Sequence, residues 1–129
     1  MSGLSIGQVA MRAGVRASAL RYYEQIGLLP APPRSNGRRS YDLKVFDRLA
    51  LIAFARRAGF SIAEVKLLMS GFAPDTTASA RWRDLAKRKE RELDAIIVLA
   101  QERRRAVRAV QRCECRTLDE CGHRLRIVL

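Results

Sequence analysis

The chain contains no apolar run of the roughly eighteen residues that a membrane helix requires, and no charged segment leading into an apolar leader core. These absences argue against a membrane-spanning helix and lead to the expectation of a cytoplasmic protein. Histidine occurs once, at position 123, and cysteine three times, never before position 113. With no nucleophile–base pair and no facing carboxylates, there is no catalytic constellation to read, and an enzyme is not expected. In a reducing compartment, a few closely spaced cysteines point to a metal or redox site rather than a disulfide framework. Acidic residues are scarce as well: 13 Asp and Glu stand against 25 Lys and Arg, for a net charge of +12 and a pI near 11. Such an excess suits a polyanion. Nucleic acid fits better than a membrane surface, because no amphipathic stretch sets a basic face against a broad aromatic one. At 129 residues the chain can bury one modest core extended by an arm, but not two independent cores.

What is present is organised around residues 5–24, SIGQVAMRAGVRASALRYYE. Ile6, Val9 and Ala10 recur at i, i+3 and i+4, the spacing of one helical face. Gly14 can then turn the chain at positive φ without a Cβ penalty, and Val15 points back into the core. A second helix follows, with Arg16 and Ser18 at its start, Ala19 and Leu20 as packing positions, and Arg21, Tyr22 and Tyr23 on one side. Two short helices joined by a tight turn form a helix-turn-helix. Its second helix can enter the major groove, which is about as wide as a helix with its side chains. Arg16, Ser18, Arg21, Tyr22 and Tyr23 are its candidate DNA contacts.

Gly27-Leu28-Leu29-Pro30 ends that helix, and Pro30, Pro32 and Pro33 keep the next residues extended. Residues 34–41, RSNGRRSY, read as a wing, since Asn36-Gly37 is a strong hairpin turn flanked by basic residues and an aromatic. Arg38, Arg39 and Tyr41 are candidates to hold phosphates there. From Asp42 the period is helical again, with Val45, Leu49, Ile52 and Ala53 on a shared face through Arg57. Gly59-Phe60-Ser61 breaks this helix, and Ser61 with Glu64 makes a capping box for another. Val65, Leu68 and Met69 turn that helix onto the core, and Gly71 stops it.

Residues 72–80 read as a linker, and residues 81–112 contain neither Gly nor Pro, enough for a helix of roughly 45–50 Å. Trp82, Ala86, Lys89, Leu93, Ile96, Ala100, Arg103, Val107 and Val110 alternate four and three apart, which is the spacing of a coiled-coil seam. Lys89 and Arg103 are imperfect in such a seam. A helix this exposed needs a partner, so a homodimer is expected, with Trp82, Ala86, Leu93, Ile96, Ala100, Val107 and Val110 at its interface. The alternative is a helix packed within its own chain. Both parts are basic: residues 1–71 carry 11 basic against 4 acidic side chains, and residues 81–112 carry 11 against 5.

All three cysteines, Cys113, Cys115 and Cys121, lie in a C-x-C-x5-C pattern just past the long helix. Clustered thiolates select soft or borderline ions such as zinc, copper(I) or mercury(II), or the iron of a sulfide cluster. One loop provides three sulfur ligands, with His123 as a possible fourth. The alternative is three reduced cysteines packed as small apolar side chains where the tail folds back.

The order of these motifs, with ALRYYE in the second helix, NGRRSY in the wing, a GFS turn, a long helix and a cysteine loop, resembles the MerR-type transcriptional regulators over nearly the whole chain. The resemblance implies a mainly α fold: a winged helix-turn-helix DNA-binding domain over residues 1–71, the linker, an antiparallel coiled-coil dimerisation helix over 81–112, and a cysteine-containing effector loop and tail over 113–129. It places Arg21, Tyr22, Tyr23, Arg38, Arg39 and Tyr41 at DNA-contacting motif positions. It further implies a dimer on double-stranded promoter DNA whose polymerase elements lie too far apart, with the effector-bound form bending and untwisting the DNA so that RNA polymerase engages both. The GVRASAL stretch and the three cysteines resemble SoxR-like members, whose motif has a further cysteine where Val110 stands. A [2Fe–2S] cluster would therefore have three thiolates of the usual four. The Cys113 and Cys121 pair is similar to that of CueR-like copper sensors. Ala78 and Ser79 stand where divalent-metal sensors of the family carry a cysteine from the opposing protomer. Arg16 stands where many members have a Ser or Thr cap. The leading expectation is a soft metal ion sensed at Cys113, Cys115 and Cys121. The alternatives are a redox iron–sulfur centre, or a DNA-binding protein with structural cysteines.

Overall fold

The computed structural model describes residues 3–128. Two compact units divide the chain, Met1–Lys89 and Glu90–Leu129.

The first unit begins with α1 (Ile6–Ala13) and α2 (Ala17–Gln25). A reciprocal cap fixes the start of α1: Gln8 N–H donates to Ser5 Oγ at 3.2 Å, and Ser5 N–H donates to Gln8 Oε1 at 2.8 Å. Gly14 ends the helix in the left-handed region at φ 68°, as the turn between two such short helices requires. Val15 N–H then donates to Ala10 O at 3.1 Å, which aims the chain into α2. Val9 and Leu20, fully buried, join the two helices. Withdrawing side chains of this size from water is worth about 1.5–3 kcal/mol each.

Past α2, the N–H groups of Leu28 and Leu29 both turn back to Tyr23 O, and both leucines are buried. The wing is a two-stranded antiparallel hairpin, β1 (Arg34–Ser35) and β2 (Arg38–Arg39), in register Arg34 with Arg39 and Ser35 with Arg38. Asn36 at φ 54° and Gly37 at φ 76° give the turn the double positive φ that suits a twisted hairpin. An isolated bridge between Leu4 and Tyr41, with N–H to O distances of 2.8 Å in both directions, ties the base of the wing to the chain ahead of α1.

Helices α3 (Lys44–Arg57) and α4 (Ile62–Ser70) complete the core with Leu49, Ile52, Ala55, Val65 and Leu68. Ala53, expected on the buried face of α3, is exposed, and Ala55 is buried instead. The buried positions 49, 52 and 55 advance by three, so the inward stripe rotates away from position 53. The Ser61 and Glu64 capping box of α4 forms as expected, with Glu64 N–H donating to Ser61 Oγ at 3.1 Å and Ser61 N–H to Glu64 Oε1 at 2.8 Å.

The long helix, α5 (Ala78–Gln111), takes its first three residues out of the expected linker, with Thr77 Oγ1 accepting from Ala80 N–H at 3.2 Å. Its 34 residues correspond to about 50 Å. The first three turns pack within the chain. The Trp82 ring stands steeply inclined to those of Phe54 and Phe60, with ring centroids 5.9 and 5.7 Å away, and Leu85 is 3% exposed. Lys89 is buried, donating to Glu64 at 2.8 Å, with its ammonium 5.4 Å from the Phe60 ring. Arg81 reinforces this docking by donating to Leu68 O and Met69 O at 3.0 Å, carbonyls left open at the end of α4.

The second unit holds the rest of α5, a turn, and α6 (Leu118–Val128). The expected C-terminal loop and tail are thus largely helical. Thr117 accepts from Glu120 N–H at 3.1 Å while Glu120 accepts from Arg116 N–H at 3.3 Å, so a Thr-x-x-Glu cap nucleates the helix. No described helix is long and apolar enough to cross a membrane.

Candidate DNA-reading face and thiolate cluster

The outer face of α2 presents Arg16, Ser18, Arg21 and Tyr22 to solvent. The inner face of the same helix buries Leu20 and half-buries Tyr23, whose ring packs against the core and stands 6.1 Å from that of Tyr22. Arg16 occupies the N-cap in an extended conformation with no side-chain cap, so its guanidinium is not spent on the helix.

Glu24, the last residue of the ALRYYE motif, ties this helix to the wing. Its carboxylate accepts from Arg39 Nε at 3.0 Å and from the hydroxyl of Tyr41. The side chain of Glu24 is 8% exposed, so the contact with Arg39 is only lightly screened. Tyr41, expected among the phosphate contacts, is instead 3% exposed. The bridge to Leu4 turns its ring inward, and burial together with the hydrogen bond to Glu24 raises its hydroxyl pKa well above the ordinary range. Arg38 remains exposed and Arg39 is half-buried. Arg34, which donates to Gly37 O at 3.0 Å, braces the turn. Arg16, Arg21, Arg34 and Arg38 are thus exposed cations on α2 and the wing, with Arg39 held in place by an acid.

In the second unit, the sulfurs of Cys113, Cys115 and Cys121 all lie within 4.8 Å of one another. Cys113 follows the end of α5, and its sulfur accepts from Cys115 N–H at 3.3 Å. Cys121 sits in the first turn of α6, which the Thr117 cap sets in place, and its N–H donates to Thr117 O at 3.2 Å. Cys113 is exposed and the other two are half-buried, and all three are free thiols. The Cys115 N–H, the Cys115 thiol and, more weakly, the Cys121 thiol and Arg124 hold the Cys113 pKa below its ordinary value. The Cys115 thiol is pushed up to about 11, first by its hydrogen bond to Cys113, then by burial and the charge on Cys113. Cys113 is thereby a readier thiolate than Cys115. A depression of about 340 Å³ opens over the cluster, bordered by Val110, Leu125 and Arg124. His123, a possible fourth ligand from its position, is exposed and does not belong to the group of three.

Of the residues expected at a dimer interface, Leu93, Ile96, Val107 and Val110 are 41–54% exposed. Ala86 and Ala100 are exposed as well, while Trp82 is half-buried against its own chain.

Comparison with known proteins places this arrangement. The family model described as MerR HTH family regulatory protein matches residues 4–71, and that described as MerR, DNA binding matches residues 46–110. The chain belongs to the MerR family. The transcriptional regulator HmrR of Rhizobium leguminosarum bv. viciae is 32% identical over 119 residues, covering 92% of both chains. The mercuric resistance operon regulatory protein of Bacillus cereus is 30% identical, covering 88% of this chain and 80% of its own. The crystal structure of PbrR691 from Ralstonia metallidurans, solved in complex with lead(II), superposes with a TM-score of 0.75 at 27% identity, over 92% and 94% of the two chains.

MerR proteins are DNA-binding transcriptional regulators, not enzymes, and the winged helix-turn-helix over α1–α4 is their DNA-binding fold. The two family models end at residues 71 and 110, so neither reaches Cys113. Membership of the MerR family accounts for the DNA-binding fold of α1–α4, while the thiolate cluster stands on its own geometry. Two further groups were not legible as functional in the sequence: Glu24 appeared only as the end of a motif, and Glu64 only as a helix cap.

Proposed function

We propose that this MerR-family regulator is a homodimer that remodels promoter DNA when a soft metal ion is captured at Cys113, Cys115 and Cys121. The observation carrying the proposal is the convergence of three sulfurs within 4.8 Å. Sulfurs sharing one tetrahedral zinc ion, with bonds of about 2.3 Å, stand about 4 Å apart, so the spacing suits a single soft ion. When bound, such an ion supplies a cross-link between the end of α5 and the start of α6. The metal-related names of the relatives support the same reading: one regulates a mercuric resistance operon and another was crystallised with lead(II). A [2Fe–2S] centre fits less well, since the residues offer three thiolates where such a cluster takes four protein ligands, and His123 stands outside the group.

On DNA, α2 enters the major groove. Arg21 and Tyr22 reach base edges, and Arg16, Ser18 and Tyr23 line its approach. Arg38 and Arg39 of the wing hold phosphates, with Arg39 aimed by Glu24 and Tyr41. The exposed apolar residues of α5, Leu93, Ile96, Ala100, Val107 and Val110, form the dimer interface, with Ala86 and Trp82 nearer its start. Two protomers then read two half-sites, the arrangement that dimeric readers use. RNA polymerase is the partner that profits from the remodelled promoter. This function belongs in the cytoplasm, where thiols stay reduced.

The test is a comparison of wild type with Cys113→Ser and Cys121→Ser, on an operator obtained by selection from random duplexes. Operator affinity should stay within about twofold, while metal-dependent transcription from a promoter carrying the operator should be lost. A triple Cys→Ser variant that responds normally would refute metal sensing at this cluster.

A further inference from the structure

We propose that Glu90 and Arg104 select the dimer partner, each pairing with the other's counterpart on a second copy of this chain, in a register of α5 centred on Ile97 and Leu99. This pairing presupposes the homodimer of the proposed function and fixes which chain it accepts. Ile97 and Leu99 are exposed apolar residues that the four-and-three spacing of the seam leaves out, and they stand on opposite flanks of it. On the flank of Ile97, Glu90 and Asp94 come before it and Arg104 and Arg108 after it. Like charges four residues apart on a helix repel, so both blocks weaken α5 taken alone. Glu90 and Arg104 are exposed, and among the described residues neither has an ion-pair partner in its own chain.

A second copy supplies those partners in one register. Ile97 stands seven residues from Glu90 and seven from Arg104. Two antiparallel copies centred there set Glu90 against the partner's Arg104 twice, Ile97 against the partner's Ile97 and, on the other flank, Leu99 against the partner's Leu99. In the seam between them Leu93 faces the partner's Arg103, and Ile96 the partner's Ala100. A slip of one heptad in either direction sets Ile97 against a charge, the partner's Glu90 or the partner's Arg104. A parallel pair stacks Arg103 on the partner's Arg103 and turns Glu92 and Arg104 onto Ile97 and Leu99 of the facing helix. Flanking charges of this kind decide orientation and partner in coiled coils, and a chain without an acid and a base at the matching positions is rejected by the same contacts. All of these positions lie in the unit Glu90–Leu129.

The test compares dimer dissociation constants of the full-length protein by sedimentation equilibrium at low salt. Glu90→Arg or Arg104→Glu alone creates two like-charge contacts across the dimer, and the constant should rise at least about tenfold. Within the chain each reversal removes a repulsion, with Asp94 or with Arg108, so an effect confined to the helix itself would run the other way. The double variant should return to the wild-type constant. Mixing the two single variants should give mostly heterodimer by native mass spectrometry, because both contacts then join an acid to a base. Single variants that dimerise as tightly as the wild type, or a mixture no richer in heterodimer than random exchange gives, would overturn the proposal and leave the homodimer standing. If a single variant does not fold, the double variant decides, and a weakened dimer with wild-type helix content counts against the pairing. A wild type that stays monomeric at all concentrations would remove both.

Discussion

The buried ion pair between Lys89 and Glu64 permits a sharp test of how α5 is anchored. Lys89 Nζ lies 2.8 Å from Glu64 Oε1, with side-chain exposures of 6% and 25%. The same carboxylate accepts from Ser61 N–H, so it serves as helix cap and counter-ion at once. Breaking a buried pair by removing one charge typically costs about 3–5 kcal/mol. The partial exposure of Glu64 lets water replace some of that, and Glu64→Gln keeps an acceptor for Ser61, so about 2 kcal/mol is expected. Lys89→Met should cost less, about 0–1 kcal/mol, because Met refills the space against Phe60 while the carboxylate keeps its cap bonds. The Glu64 pKa is depressed, first by the hydrogen bond from Lys89 and then by Ser61 N–H. A depressed carboxylate contributes stability that is present above its unfolded value near 4.5 and is lost as pH falls through the folded value. The gap between wild type and Glu64→Gln should therefore be full at pH 7 and shrink in acid. Urea unfolding at fixed protomer concentration, followed by circular dichroism from neutral to acid pH, measures it. Equal stabilities at pH 7, or a gap unchanged in acid, would refute the reasoning.

Arg21→Ala should cost about 1–3 kcal/mol of specific operator binding if its guanidinium reads a base edge, and unchanged affinity in a folded variant would count against it. Arg38→Ala should instead weaken binding to all sequences and lower the salt slope by about one ion, as salt titration of binding would show. Glu24→Ala removes a negative charge near DNA, which by charge alone should tighten binding. Because Glu24 aims Arg39, weaker binding is expected, and tighter binding would show that the wing needs no such brace. Leu93→Asp or Ile96→Asp should shift sedimentation from dimer towards monomer and reduce operator binding, since an unpaired charge in a closed seam costs several kcal/mol.

Much of the first unit was legible because its signals are local. The φ of Gly14, the Asn36-Gly37 turn and the Ser61 and Glu64 cap each need only a few neighbouring residues. The inward turn of Tyr41 was not legible, because it depends on a bridge to Leu4, thirty-seven residues earlier. Lys89 looked like a flaw in a continuous seam. It is a buried cation whose acid lies on α4, and the i, i+4 pair of Leu85 with Lys89 is the stripe that docks α5 on its own chain. Trp82 had the right spacing for that seam, but its ring is taken by Phe54 and Phe60. The three cysteines were visible as a cluster. Their convergence depends on the Thr117 and Glu120 cap, a signature present in the sequence but read as part of a loop.

In the proposed function the cysteine cluster controls what the DNA-binding unit does at a promoter. It is tested most directly by transcription in vitro with RNA polymerase, from a promoter carrying the selected operator, with reduced protein and with or without mercury(II). Wild type should raise transcription only when the ion is present, while Cys113→Ser should occupy the operator equally and never raise it. Identical transcription with and without the ion, or full activation by Cys113→Ser, would contradict it.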